Sequence, residues 1–291
     1  MKIALLTICD ESFAEISLRT LPSMQRYAGR FGLDFLSMPR ETNSRPASWS
    51  KITCIRKVLQ SDFDYCFYVD ADALFVRFDE DIRKHLNAKK DLYLCSHNPN
   101  NSEAYAPIQE HFNAGVMVWS RTEWSINFLD VLWQQTDLIS HPWWDQAALL
   151  DQLGYHSVLG RGPDKPNSNH LKHVQQLPVD WNVIVGKTIA SDPILRHFAG
   201  RPNATRLQEL DCELAFQSVR ELLPKYGRYV LSRQLNVMSY EGKCDKYWAR
   251  AAGLQSSRLA KVWWHAVGFA RAFAKLAMHW LNLRALRGYA L

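Results

Sequence analysis

The chain has no Cys-x-x-Cys pair, no internal repeat and, after Asp245, no acidic residue at all. Each absence removes a class of protein. The six cysteines, Cys9, Cys54, Cys66, Cys95, Cys212 and Cys244, are far apart and stand mostly in apolar contexts. That speaks against a zinc or redox motif and for small buried hydrophobes in a reducing compartment. Within residues 246–291 the longest stretch free of Asp, Glu, Lys and Arg is 262–270, too short to span a bilayer. The opening MKIALLTICDESF has an apolar burst of about eight residues, short for a signal h-region. It meets Asp10 and Glu11 instead of a small-residue cleavage site, so it reads as a first strand of a cytoplasmic protein.

What is present is a chain able to bury a full core. It has 291 residues, 47% of them hydrophobic, and its 11 Trp, 11 Tyr and 13 Phe are spread evenly enough to argue against long disorder. The net charge of +6 is uneven: residues 1–245 carry 27 basic and 29 acidic side chains, and eight bases follow without an acid. Strand-like runs at 2–9, 34–38, 65–69, 91–96 and 115–120 are the apolar bursts expected of strands covered on both faces. Between the first three, apolar residues three and four apart predict helices over 19–31 and 49–59, the second with Ser48 as its N-cap. A β-α-β-α-β start predicts an α/β fold with a mostly parallel sheet flanked by helices, open at the carboxyl ends of its strands. Further helices are expected in TEWSINFLDVLWQQT, opened by Thr122, and in HPWWDQAALLDQLG, ended by Gly154; residues 160–182, rich in Gly, Pro and Asn, read as an ordered loop.

The run YCFYVDADALF breaks an apolar stretch with Asp70, Ala71 and Asp72. The chain has two other Asp-x-Asp pairs, at 62/64 and 79/81, which read as solvated turn and cap carboxylates. The middle pair differs in ending a buried strand, on the edge where open α/β sheets bind ligands. Two carboxylates converging there repel unless a cation joins them. Hard oxygen ligands of this kind suit Mg²⁺ or Mn²⁺, which share their other positions with water and phosphates.

FYVDADALF resembles the metal-binding D-x-D of the GT-A (Rossmann-like) glycosyltransferases. Four more segments follow the pattern in order. SWSKI, FNAGVMVWSRTEWS and HPWWDQAAL are similar to the W-x-K, N-x-G and D-Q elements of the retaining fungal galactosyl- and mannosyltransferases and plant xyloglucan xylosyltransferases (glycosyltransferase family 34). ILRHFAGRP is similar to their late H-F-x-G segment. The resemblance implies a GT-A catalytic domain over 1–250, and a metal-dependent transferase moving a hexose or pentose from a nucleotide-diphosphate sugar. UDP-sugar is favoured over GDP-mannose, and the acceptor is a glycan or lipid-linked glycan. Asp70, Asp72 and His197 would hold Mn²⁺ or Mg²⁺. Lys51, Asp70, Ala71, Gly200 and Arg201 would meet the donor diphosphate, while Thr7, Ile8 and Asp10 would lie at the base and ribose. Asn113 and Gly115 would approach the sugar. Trp143 and Trp144 offer apolar faces for a sugar ring, and Asp145 and Gln146 would act at the anomeric carbon. The lysine that some relatives carry near the H-F-x-G segment is not evident.

Over 258–287 the charged and His positions step by three and four, with Trp263, Trp264, Phe269, Phe273 and Trp280 among the rest. This pattern predicts a basic amphipathic helical tail, 251–291, on the cytoplasmic face of an anionic membrane. Nucleic acid is a poor partner, since the domain itself is mildly acidic. A haloacid-dehalogenase-like phosphohydrolase, whose D-x-D also follows a strand, and a non-catalytic glycan- or membrane-binding protein are the competing readings.

Overall fold

The computed structural model describes residues 1–41, 44–97, 110–188, 190 and 192–222, with side chains described to 217. The tail and most of the 98–111 loop lie outside these residues.

The apolar bursts become β1 (Ile3–Cys9), β2 (Asp34–Pro39), β3 (Tyr65–Val69), β4 (Ala73–Phe75), β5 (Leu92–His97) and β6 (His111–Ser120). Three more strands follow: β7 (Val174–Leu177), β8 (Val183–Ile184) and β9 (Leu195–His197). The helices are α1 (Ala14–Phe31), α2 (Ser50–Leu59), α3 (Glu123–Trp133), α4 (Trp144–Leu153), α5 (Ser168–Leu171) and α6 (Asn203–Leu222). Six strands form one sheet in the order β2-β1-β3-β6-β5-β7. Only β6 is reversed in it: β2, β1 and β3 pair in parallel, as do β5 and β7, and β6 is antiparallel to both its neighbours.

Alternation along β1 explains the layering. Ala4 and Leu6 pack with Ile52 and Ile55 of α2, Phe128 and Leu132 of α3, and Leu149 and Leu153 of α4. Ile3 and Leu5 face the other way, toward Met24 and Tyr27 of α1 and toward Phe75 and Trp181. Burying side chains of this size contributes about 1.5–3 kcal/mol each. Thr122 caps α3, its hydroxyl accepting from Ser125 N. Gly154 ends α4 at φ 89°, where a Cβ would meet the Lys165 carbonyl oxygen at 1.9 Å, so a side chain there is excluded twice over.

The smaller sheet, in the order β4-β9-β8, positions the site. β4 starts directly after Asp72, and its antiparallel pairing with β9 sets Ala73 opposite His197. The reversed β6 brings its first residues to the carboxyl end of β3, where the Asp70 amide donates to the Gly115 carbonyl at 2.8 Å.

Several sequence expectations are corrected. α1 begins at Ala14, not 19, and runs through Pro22; the carbonyl freed there belongs to Leu18, on an exposed face where water can take it. Ser48 does not cap α2: it lies in a 3-10 turn, and Trp49 precedes the helix without a side-chain cap. Region 160–182 is not all loop, because β7 joins the main sheet as its outer strand. Cys54, Cys66 and Cys95 are buried free thiols as expected, whereas Cys9 is half-exposed and Cys212 exposed. Among the described residues no helix is long and apolar enough to cross a membrane.

Candidate active site

Asp70, Asp72 and His197 meet at the junction of the two sheets, each offering a ligand atom within 4.8 Å of the others. His197 Nε2 stands 3.2 Å from Asp72 Oδ1 and 3.6 Å from Asp70 Oδ2. Its ring is oriented by a chain of amides. The Ala114 backbone N–H donates to Gln146 Oε1, and the Gly115 N–H to Asn113 Oδ1. These two backbone donors fix which amide end is oxygen. Asn113 Nδ2 then donates to Gln146, Asn182 Nδ2 donates to Asn113 Oδ1, and Asn182 Oδ1 is left 2.9 Å from His197 Nδ1. The proton therefore belongs on Nδ1, which aims the Nε2 lone pair at two carboxylates. Such an arrangement is repulsive unless a second proton on Nε2 or a metal cation lies between, and an acceptor on Nδ1 is how a histidine ligand is oriented toward a metal.

Gly115 makes the arrangement possible. A Cβ on it would sit 2.0 Å from His197 Cε1, so only glycine lets the ring lie across β6. The expected role of Gly115, close approach to a ligand, is replaced by close approach to His197. Asn113 is likewise corrected: its amide is taken up within the protein and its side chain is buried, so it positions His197 rather than meeting a sugar.

Lys51 is the third correction. It is 5% exposed, and its Nζ lies 3.1 Å from Asp70 Oδ1, 3.1 Å from Asp145 Oδ2 and 3.3 Å from the Ala114 carbonyl oxygen. Three acceptors satisfy its three donors, which leaves none for a diphosphate. Burial opposes its charge, but Asp145 and Asp70 hold its pKa above the usual lysine value. Burial raises Asp145 to about 6, with Lys51 working against the rise. Tyr68 donates to the same Asp70 oxygen at 2.7 Å. Asp72 faces Arg206 of α6, whose Nε is 3.1 Å from Oδ2. Burial works against its ionisation, but His197, when its ring carries both protons, and Arg206 hold Asp72 below the ordinary carboxylate value.

Other expected residues divide by exposure. Thr7 is fully buried with its hydroxyl unpartnered, and Ala71 is buried with its carbonyl accepting from Thr20 Oγ1. Neither side chain is open to a ligand. Ile8 and Asp10 remain half-buried at the end of β1, with Asp10 accepting from Ser12 and lying 3.8 Å from Arg40. Arg201 pairs with Glu209 at 2.7 Å and donates to the Val185 carbonyl, so it is turned away from a phosphate. Gly200 lies on an exposed turn at φ 68°, and the cation facing it is Lys187, whose Nζ is 3.1 Å from where a Cβ would stand. Lys187 has no carboxylate partner among the described residues, and partial desolvation with the nearby Arg201 charge lowers its pKa.

The two tryptophans differ. Trp143 is half-buried and stacks on His111, centroids 5.1 Å apart. Trp144 is 45% exposed and is the one non-glycine residue with positive φ among those described, at 45°. Gln146 presents its amide NH₂ without a protein partner among the described residues, its oxygen being fixed to β6.

In comparisons with known proteins, no curated protein sequence matches the chain. Among solved structures the chain is similar to a glycosyltransferase involved in glycosylation of the major capsid of PBCV-1. That match is 14% identical over 73% of this chain and 100% of the other, with a TM-score of 0.52. It is also similar to galactosyltransferase LgtC, solved with donor and acceptor sugar analogues: 11% identical over 77% and 99% of the two chains, TM-score 0.49. The likeness is one of fold, and the sheet flanked by helices is the GT-A architecture expected. The family model for nucleotide-diphospho-sugar transferases matches residues 14–180, a span that takes in Lys51, Asp70, Asp72, Asn113 and Asp145, and the chain belongs to that family.

Proposed function

We propose that the protein is a divalent-cation-dependent glycosyltransferase that moves a hexose or pentose, with retention, from a nucleoside-diphosphate sugar to a glycan or lipid-linked glycan. UDP-sugar is the favoured donor, ahead of GDP-mannose. The observation that carries this reading is the His197 Nε2 lone pair aimed at Asp70 and Asp72 on the ligand-binding edge of the sheet. One imidazole nitrogen and two carboxylate oxygens form a donor set that suits Mn²⁺. Bound there, the ion would stabilise charge gathering on the departing diphosphate.

The chain's own residues supply the rest. Lys187 and the exposed turn at Gly200 face the diphosphate. Ile8 and Asp10 lie where β1 ends, the place of the base and ribose. Asp145 sets a negative charge beside the anomeric carbon as oxocarbenium-like charge develops, held in position by Lys51. The Gln146 NH₂ orients the sugar, and the Trp144 face stacks on its acceptor. The phosphohydrolase reading fits less well, because it needs Asp70 as a free nucleophile. Here Lys51 and Tyr68 occupy one of its oxygens.

Thermal unfolding with UDP, GDP, CDP and ADP, each with and without Mn²⁺, tests the reading. Stabilisation by one diphosphate, about 2.7 kcal/mol at a hundredfold excess over Kd, is expected only with Mn²⁺ and not in Asp72→Asn. Equal stabilisation without the ion would contradict it. The basic tail on an anionic membrane surface remains part of the proposal. Sedimentation with phosphatidylserine vesicles, lost at high salt, checks it.

A further inference from the structure

Lys187 stands exposed on the proposed diphosphate rim, but the turn that carries it is tied down on both sides. Before it, β8 pairs with β9 so that Ile184 lies beside His197, and the Val185 N–H donates to the His197 carbonyl at 2.9 Å. The Lys187 and Thr188 N–H groups both donate back to the Ile184 carbonyl, at 3.0 and 2.9 Å. After it, Thr188 is buried, and its Oγ1 lies 3.3 Å from His97 Nδ1. His97 is a firm support. It ends β5 opposite His111 of β6, its ring meets the His111 ring edge-on with centroids 5.2 Å apart, and His111 stacks on Trp143. Burial, with His111, Lys187 and His197 nearby, pushes the His97 pKa down to about 3, so the ring is neutral and adds no charge beside Lys187. A neutral imidazole and a hydroxyl can each donate or accept, so the pair is satisfied in either tautomer.

Resting on the reading of Lys187 as the cation that meets the donor diphosphate, we infer that His97 is a positioning residue for that contact: by holding Thr188 it fixes the turn that sets the Lys187 ammonium against Gly200. A lysine has a long, rotamer-rich side chain, and whatever order the backbone beneath it already has is not lost again on binding. Without the His97 tie the turn loses its anchor on the β5 side, and ordering it falls to the diphosphate.

The test is calorimetric titration of the full chain in Mn²⁺ with UDP, or with GDP if the thermal series selects it. The variants are His97→Phe, His97→Asn, Thr188→Val, Lys187→Met and the His97→Phe/Lys187→Met pair. Phenylalanine keeps a ring against His111 but cannot bond Thr188, whereas asparagine can place an amide where Nδ1 was. His97→Phe and Thr188→Val should each weaken the diphosphate about fivefold, the size of one lost hydrogen bond, and His97→Asn should recover most of it. In the Lys187→Met background His97→Phe should have no further effect, which a general loss of stability would not imitate. If His97→Phe does not fold, Thr188→Val paired with Lys187→Met carries the test. A His97→Phe chain that binds as wild type, or that loses the same factor with and without Lys187, overturns the inference and leaves the Lys187 reading standing. Lys187→Met binding as tightly as wild type overturns both.

Discussion

The wall of the site and its rim are built on opposite principles. In the wall, Lys51, Asp145, Asn113 and Asn182 are buried, and each is held by polar partners from the chain. On the rim, Lys187 has no carboxylate partner among the described residues, and Trp144 is exposed and strained. A charge satisfied inside the protein holds others in place, whereas one left open is available to a ligand. Several residues expected at the ligand, Lys51 and Asn113 above all, belong to the first group.

Removing a wall charge should show the largest effect. Lys51→Met leaves the buried Asp145 and the half-buried Asp70 without their shared cation and should lower stability by about 3–5 kcal/mol in urea unfolding, with transfer abolished. Gly115→Ala comes next. The new methyl must displace His197, at a cost of about 1–3 kcal/mol, and Mn²⁺ binding should disappear from an electron paramagnetic resonance titration.

The third prediction concerns pH. Because burial raises the Asp145 carboxyl to about 6, the folded chain holds that proton more tightly than the unfolded one. Its contribution to stability is therefore full below about pH 4 and is lost as pH rises through about 6. The wild-type stability minus that of Asp145→Asn should decline by about 1.4 kcal/mol per pH unit over that window. Turnover, which needs the ionised carboxylate, should rise through the same window and then level off; a flat profile would remove Asp145 from the chemistry.

Rim substitutions should act on binding alone. Lys187→Met should leave stability within about 0.5 kcal/mol while raising the donor KM roughly tenfold. Trp144→Gly relieves the positive-φ strain and should be neutral or stabilising by about 1 kcal/mol, with only the acceptor KM increased. If Lys187→Met unfolds the chain as Lys51→Met does, the contrast between wall and rim fails.

The same contrast explains what the sequence could reveal. β1, β3 and most of β5 and β6 are continuous apolar runs, so their positions were legible to within a residue or so at most ends. The start of β6 was hidden because His111 and Asn113 interrupt the run with side chains that face the site. β9 has three residues and β8 two; β9 pairs with β4 and β8 in turn with β9, and no local preference announces either. β7 lies in a Gly-, Pro- and Asn-rich stretch that masks its alternation. Asp70, Asp72, Asp145 and His197 were singled out through motif order, and the fold brings Asp70, Asp72 and His197 into one cluster, with Lys51 joining Asp145 to Asp70. Asn182, Lys187 and Arg206 were missed because their partners lie 69, 13 and 134 positions away in sequence. Arg201 was favoured in place of Lys187 because it adjoins the motif, and sequence alone does not show that Glu209, two turns along α6, draws it away.

The most direct test of the central claim is anomalous diffraction at the manganese edge from crystals grown with Mn²⁺ and UDP. A single strong peak bounded by Asp70 Oδ2, Asp72 Oδ1 and His197 Nε2, with the diphosphate reaching toward Lys187, is the predicted result. A bound nucleotide with no anomalous peak among those three atoms would contradict the account.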